Sequence, residues 1–198
     1  MGAKPNIAVL ILAAGESRRM GEKIKQLLPW KNSTLLGNAL TQSKKSKAND
    51  LYLVLGANSQ TIKEKINTKD VVVLENQNWQ SGMGSSIKTG FEYIAALEKE
   101  YDAVLIMLAD QPLMDHAYLN QLIIAWQASE KTIVATKYRS RAGVPAIFDK
   151  MHFLDLQILN KDYGAKHLLD KNDILVVDPK GKEIDIDTWE TYQEIIKN

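Results

Sequence analysis

Ile7-Ala8-Val9-Leu10-Ile11-Leu12-Ala13 is an unbroken apolar run, and Ala14-Gly15-Glu16-Ser17-Arg18-Arg19-Met20-Gly21 follows it directly. A strand with one wet face alternates apolar and polar residues. A continuous run instead predicts a strand covered on both faces, as in parallel sheets flanked by helices. The stretch after it, 15–29, is polar, basic and punctuated by glycine, too irregular for one helix.

Outward from this start, Leu35, Leu36, Ala39 and Leu40 recur at helical spacing, and 51–55 (LYLVL) predicts a second strand. Ile62 and Ile66 mark a short helix after Ser59, and 71–74 a third strand. Ile87, Phe91 and Ile94 line one face of a helix over 84–99, followed by a wholly apolar strand at 103–108. Leu119, Leu122, Ile123 and Trp126 mark the next helix. Two further strands are expected at 132–136 and 144–148, then short helical pieces over 149–173, a strand at 174–177 and a closing helix at 188–197. Strands alternating with helices through short joins predict an α/β protein: a three-layer αβα, Rossmann-like architecture with a mainly parallel sheet. In such sheets ligands bind beyond the carboxyl ends of the strands. Here those ends are Ala13-Ala14-Gly15, Gly56, Glu75-Asn76 and Asp110.

The chain has 198 residues, which at roughly 150 residues per domain predicts a single domain over 1–198. With 45% hydrophobic and 25% charged residues it can bury a core. A formal net charge of +1 lacks the basic field of a nucleic-acid binder. Having no cysteine excludes disulfide scaffolds, thiolate metal sites and thiol nucleophiles. The early apolar run is far shorter than the roughly 20 residues that span a bilayer, and no signal-peptide pattern surrounds it. Position 6 is Asn6 rather than the Ser or Thr that myristoylation at Gly2 favours. The expectation is a cytoplasmic protein with no membrane or nucleic-acid partner.

The loop after the first strand combines small residues, which let a ligand approach backbone N–H groups, with Arg18 and Arg19, whose forked cations suit phosphate oxygens. Lys25 follows just before Gln26-Leu27-Leu28-Pro29. The loop is neither a P-loop nor a dinucleotide turn, since it lacks Gly-Lys-Ser/Thr and a second glycine two positions after Gly15. Asn76 to Ser86 (NQNWQSGMGSS) opens a helix with free N–H donors; Ser85 or Ser86 also suits a plain helix cap. Asp110, at the tip of an apolar strand in Leu108-Ala109-Asp110-Gln111-Pro112, is placed to hold Mg²⁺ by one oxygen, leaving other positions for waters and phosphates; it also suits a turn before proline. Asp187 with Glu190 three residues later makes a fair capping pair. The three histidines, His116, His152 and His167, have no metal-ligand spacing.

Leu12-Ala13-Ala14-Gly15-Glu16-Ser17-Arg18-Arg19-Met20-Gly21, then Lys25-Gln26-Leu27-Leu28-Pro29, resembles the signature of the nucleotidyltransferases that attach a nucleotide to molybdopterin. The Ala-Ala-Gly form resembles the branch that uses CTP, the molybdenum cofactor cytidylyltransferases. The resemblance implies a nucleotidyltransferase fold and a nucleotide site built from Leu12, Ala13, Ala14, Gly15, Ser17, Arg18, Arg19, Lys25, Gly82, Gly84 and Ser85. Arg19 would grip the triphosphate and Lys25 would stabilise charge at the α-phosphate; Lys23 is a minor rival. Asp110 would hold Mg²⁺ or Mn²⁺. In Asp185-Ile186-Asp187-Thr188-Trp189-Glu190, which resembles the family's second metal segment with Trp189 in place of proline, Asp187 is the preferred ligand and Asp185 the reserve.

On the acceptor side the resemblance implies Gly143, Pro145 and Gly164. Val144 stands where the family's Gly-His-Pro has histidine, and Lys166 where Asp-x-Gly-Ala-Arg has arginine; lysine keeps the charge but loses the bidentate fork. The implied activity is Mg²⁺-dependent transfer of CMP from CTP to molybdopterin, with a xanthine dehydrogenase-type enzyme as recipient. Two alternatives stay open: transfer to a sugar phosphate or other phosphorylated acceptor, and a non-catalytic carrier of the cofactor.

Overall fold

In the computed structural model, which describes residues 4–159, 164–171 and 173–197, β1 (Ile7–Ala13) lies between β4 (Asp50–Leu55) and β6 (Ala103–Leu108), parallel to both and buried throughout. Successive strand side chains point to opposite faces, and each face of β1 meets its own core. Ile7, Val9 and Ile11 pack with Leu36, Leu40, Ile62, Leu119 and Ile123. These come from α1 (Leu35–Lys44), α2 (Ser59–Lys65) and α4 (His116–Ala128). Ala8, Leu10 and Leu12 pack with Ile87, Phe91, Leu156 and Leu168 of α3 (Met83–Ala95), α5 (Phe153–Gln157) and α6 (Lys166–Lys171). Gly90 permits the close approach of α3: a Cβ there would stand 2.5 Å from Leu10 Cδ1. The three expected layers follow from this two-sided burial.

The sheet has seven strands in the order β5-β4-β1-β6-β8-β7-β9, with β5 (Val72–Glu75), β7 (Ile133–Lys137), β8 (Ala142–Asp149) and β9 (Leu175–Val177) completing it. Pairing is parallel except where β8 runs against both β6 and β7. The β7–β8 ladder shifts register at Ala135/Thr136, leaving Val144 and Pro145 without ladder partners.

Some boundaries move from their sequence expectations. Residues 96–99 leave the helix expected over 84–99, since α3 stops at Ala95. A small hairpin, β2 (Pro29–Trp30) with β3 (Ser33–Thr34), appears between the irregular stretch expected over 15–29 and the helix at Leu35, where the sequence marked no element. It matters because Trp30, Leu28, Met20 and Leu35 form a third apolar cluster with Ile186 and Tyr192. This cluster clamps the C-terminal segment and α7 (Trp189–Lys197) against the first loop, and Tyr192 donates its hydroxyl to Pro29 O at 2.7 Å. Among the described residues no helix is long and apolar enough to cross a membrane.

Candidate active site

Four parallel strands, β1, β4, β5 and β6, end on the same side, and the loop after β1 is tied down there by one amide. Gln26 is 3% exposed, and its Nε2 donates to Ala13 O and Gly15 O at 2.9 Å each. Ser17 turns the chain in a left-handed conformation (φ 65°), and its Oγ accepts from the Lys25 N–H at 3.2 Å. Ala14 O accepts from Ala57 N at 3.0 Å. Gly56 admits Trp79 against this turn, since a Cβ would lie 2.5 Å from Trp79 Cβ. The sequence reading passed over Gln26, whose signal was a polar residue between Lys25 and an apolar pair.

A charge centre sits beside that loop. Lys25 Nζ is 2.5 Å from Asp110 Oδ2 and 3.2 Å from Asp187 Oδ1, and Arg19 Nη2 is 3.1 Å from Asp187 Oδ2. Burial alone would lower the Lys25 pKa, but the two carboxylates outweigh it and hold the ammonium above its ordinary value. The Lys25 and Asp110 side chains are 15% and 19% exposed, so their attraction is screened less than a surface pair's. Lys23 Nζ instead lies over the Trp189 ring, 4.4 Å from its centroid, so of the two lysines it is Lys25 that stands between the carboxylates. Arg18 turns outward to Glu16 at 2.6 Å with its side chain 78% exposed.

Asp187 reaches this centre because Ile186, fully buried, donates its N–H to Asp110 O at 2.9 Å. Asp110 Oδ1 is buried without a hydrogen-bond partner, a costly state for a carboxylate oxygen. Two hard oxygen donors, one of them orphaned, fit Mg²⁺ or Mn²⁺, which takes one or two carboxylates and fills its other positions with water and phosphate. Among the described residues no three His, Cys, Asp or Glu side chains converge to form a fuller cage.

Two adjoining cavities open here. The first, about 250 Å³, is lined by Leu12, Ala13, Ala14, Gly15, Ser17, Lys25, Gly82 and Asp110, together with Gln26, Trp79, Met83 and Ser86. Gly84 and Ser85 do not line it. Gly84 is buried in α3, and Ser85 Oγ sits 2.9 Å from Asn78 O and 2.8 Å from Gly82 O while accepting from Asn76 Nδ2. Asn76, buried and also missed in the sequence, ties Ser85 and Ser86 to its amide and shapes the turn.

The second cavity, about 450 Å³, shares Met83 and Leu108 with the first. Gln111, Tyr138, Arg141, Gly143, Val144, Lys166 and Asp185 line it. Because the β7–β8 ladder slips here, Val144 O is left to accept from Tyr138 Oη at 2.6 Å and Gln111 Nε2 at 3.1 Å. Gln111 also donates to Asp185 Oδ1 at 2.8 Å. Burial raises the Asp185 pKa; the Gln111 hydrogen bond opposes this, and Asp110 and Asp187 add to it. Burial raises Tyr138 as well.

Pro145 faces away into the sheet, its carbonyl accepting from Thr136 Oγ1 at 2.6 Å. Gly164 backs onto Met83, and the residues after it reach the cavity. Asp162 and Tyr163 of the expected acceptor motif lie outside the described residues.

Known proteins are similar to this chain along nearly its whole length. Nicotine blue oxidoreductase of Paenarthrobacter nicotinovorans is 27% identical over 204 residues, covering 97% of both chains. The purine catabolism protein PucB of Bacillus subtilis (strain 168) is 26% identical over 96% of each. The crystal structure of Rv0371c from Mycobacterium tuberculosis H37Rv superposes with a TM-score of 0.83 at 26% identity, covering 98% of this chain and 99% of that one. A second Rv0371c structure is a manganese complex, with a TM-score of 0.76 and 25% identity over the same shares. Residues 9–175 match the MobA-like NTP transferase domain, so the chain belongs to the MobA-like NTP transferase family.

Proposed function

We propose that the protein transfers CMP from CTP to the terminal phosphate of molybdopterin, or of its molybdenum form, and releases pyrophosphate. The observation that carries this reading is the pair of adjoining cavities with Lys25, Asp110, Asp187 and Arg19 gathered at the first. A phosphate oxygen of the acceptor attacks the α-phosphorus of CTP. The bond to the oxygen bridging α and β breaks, and that oxygen leaves with pyrophosphate. No protein nucleophile is needed; positioning and charge neutralisation do the work.

The backbone of Leu12 to Gly15 and the turn at Gly82 enclose the nucleotide. Arg19, with Arg18 swung in from the rim, holds the outer phosphates. Lys25 exchanges a carboxylate for an oxygen of the α-phosphate. Asp110 and Asp187 would hold Mg²⁺ or Mn²⁺, which when bound supplies charge neutralisation at the phosphate oxygens. The manganese complex of Rv0371c is in keeping with that choice. The likeness to PucB, named for purine catabolism, supports a xanthine dehydrogenase-type recipient, since xanthine is a purine.

The test is pyrophosphate release from CTP, GTP, UTP and ATP, each with molybdopterin and with a sugar phosphate. CTP with molybdopterin should be preferred. Equal or better use of GTP would end the cytidylyl assignment, and release with the sugar phosphate alone would end the acceptor assignment. CTP binding without release in any mixture would leave the non-catalytic carrier. The likeness to nicotine blue oxidoreductase favours a second reading, a redox enzyme using the same cavities. Against it stands the Lys25–Asp110–Asp187 set, which phosphate transfer uses and hydride transfer does not. Oxidation of NADH or NADPH followed by absorbance separates the two.

A further inference from the structure

The two aspartates of the Asp185-Ile186-Asp187 segment serve different places. Ile186 between them is fixed by its N–H bond to Asp110 O and by burial among Met20, Leu28, Trp30, Leu35 and Tyr192. From that anchor, Asp187 reaches Lys25 and Arg19. Asp185 goes to the second cavity, where Gln111 takes its Oδ1. Among the described residues Asp185 forms no ion pair with Lys25 or Arg19, although Asp187 pairs with both. Gln111, 2% exposed, shares its other amide hydrogen between Tyr138 Oη and Val144 O, so the carboxylate is set in a fixed orientation. Among the described residues its second oxygen accepts no side-chain hydrogen bond, and the cavity lies beside it. An ionised carboxylate only accepts hydrogen bonds, so what it recognises is an N–H or O–H group.

We infer that Asp185 is a positioning residue for the acceptor, while Asp187 serves the metal and phosphate side. The inference rests on the two-cavity reading above and deepens it. Asp185 holds an N–H or O–H donor of an anionic acceptor, and Arg141 and Lys166 in the same cavity wall balance that acceptor's charge. The family resemblance alone left both aspartates as candidates for one metal site. The fold separates them because neighbours at i and i+2 flank a residue that is locked into the core.

Asp185→Asn keeps an oxygen for Gln111 and changes the charge, so the fold should survive; Asp185→Ser is the second variant, and both are checked by thermal melting. Each variant and Asp187→Asn is titrated with Mn²⁺ in the presence of CTP, and steady-state kinetics are run with molybdopterin. For Asp185→Asn the KM for molybdopterin should rise about tenfold, the size of one lost charge-assisted hydrogen bond. Its kcat and Mn²⁺ affinity should stay within about threefold of the parent, less than one such bond. For Asp187→Asn the Mn²⁺ affinity should fall about tenfold or more. Equal loss of Mn²⁺ affinity in both variants, or an unchanged KM in Asp185→Asn and Asp185→Ser, would overturn the division. A parent protein inactive on molybdopterin would instead end the functional reading; KM is then read with the sugar phosphate, and the Mn²⁺ titration still decides between the two aspartates.

Discussion

The two cavities lie side by side and are built by opposite means. Much of the first is walled by consecutive stretches, Leu12 to Gly15 and Leu108 to Asp110, at the ends of two parallel neighbouring strands, with Ser17, Lys25 and the turn at Gly82 completing it. The second forms where the sheet turns antiparallel, from Gln111, Tyr138, Val144, Lys166 and Asp185, which no short motif contains. A triphosphate is the same in every member of such a chemistry, so one loop of fixed donors suffices for it. Under the proposed function an acceptor varies, and the wall proposed to meet it is assembled from distant pieces. Two of the departures from the family pattern, Val144 for histidine and Lys166 for arginine, fall on that second wall, and the third, Trp189 for proline, packs against the Ile186 cluster.

This contrast breaks if substitutions in the first cavity depend on the acceptor offered. Asp110→Asn should have the largest effect. Losing the orphaned carboxylate and the Lys25 partner should lower kcat on the order of 10³-fold or more with any acceptor. Chelation of the divalent ion should do the same, and full activity under either treatment would remove the metal. Lys25→Ala should come next, costing about 2–4 kcal/mol of transition-state stabilisation and lowering kcat more than it raises the KM for CTP. Lys23→Ala is the control, because that cation lies on Trp189; a reversed ranking would mean the loop is misread.

Smaller effects sharpen the comparison. Gln26→Ala strands the Ala13 and Gly15 carbonyls and should cost about 1–3 kcal/mol of stability. On a domain of this size that lowers Tm by about 2–4 °C per kcal/mol, and bound CTP should restore part of it. An unaltered melting curve would show that the loop holds without its amide. Ala14→Gly removes a methyl from the first cavity and should shift kcat/KM toward GTP by about 1–2 kcal/mol; no change in the CTP to GTP ratio would place base selection elsewhere. Arg141→Ala, at the rim of the second cavity, should be mildest. It should raise the acceptor KM by an amount equivalent to about 0–1 kcal/mol, and a matching rise in the KM for CTP would show that the two cavities are not separate stations.

Much of the first cavity was legible because its parts are contiguous: an apolar run, a small-residue turn, a lysine before an apolar pair. The αβα layering followed from β1 being apolar on every residue, which demands cover on both faces. Gln26, Asn76 and Gln111 were not legible as functional, because a buried amide is recognised by the carbonyls and hydroxyls it joins, and these lie on other segments. The resemblance chose Ser85 for the nucleotide, but the fold turned Ser86 to the cavity and Ser85 to the Asn78 carbonyl.

By itself the sequence determined the layered architecture and the turn that follows the first strand, because periodicity and turn composition act over a few residues. The tertiary structure alone decided which aspartate meets Lys25, since Lys25 and Asp187 are separated by 162 positions. Their meeting depends on a hairpin, a buried isoleucine and a tyrosine hydroxyl that close the C-terminal segment over the first loop. Hydrophobic burial there is non-directional. The fixed geometry comes from hydrogen bonds such as Ile186 N–H to Asp110 O, and only the folded chain can make them.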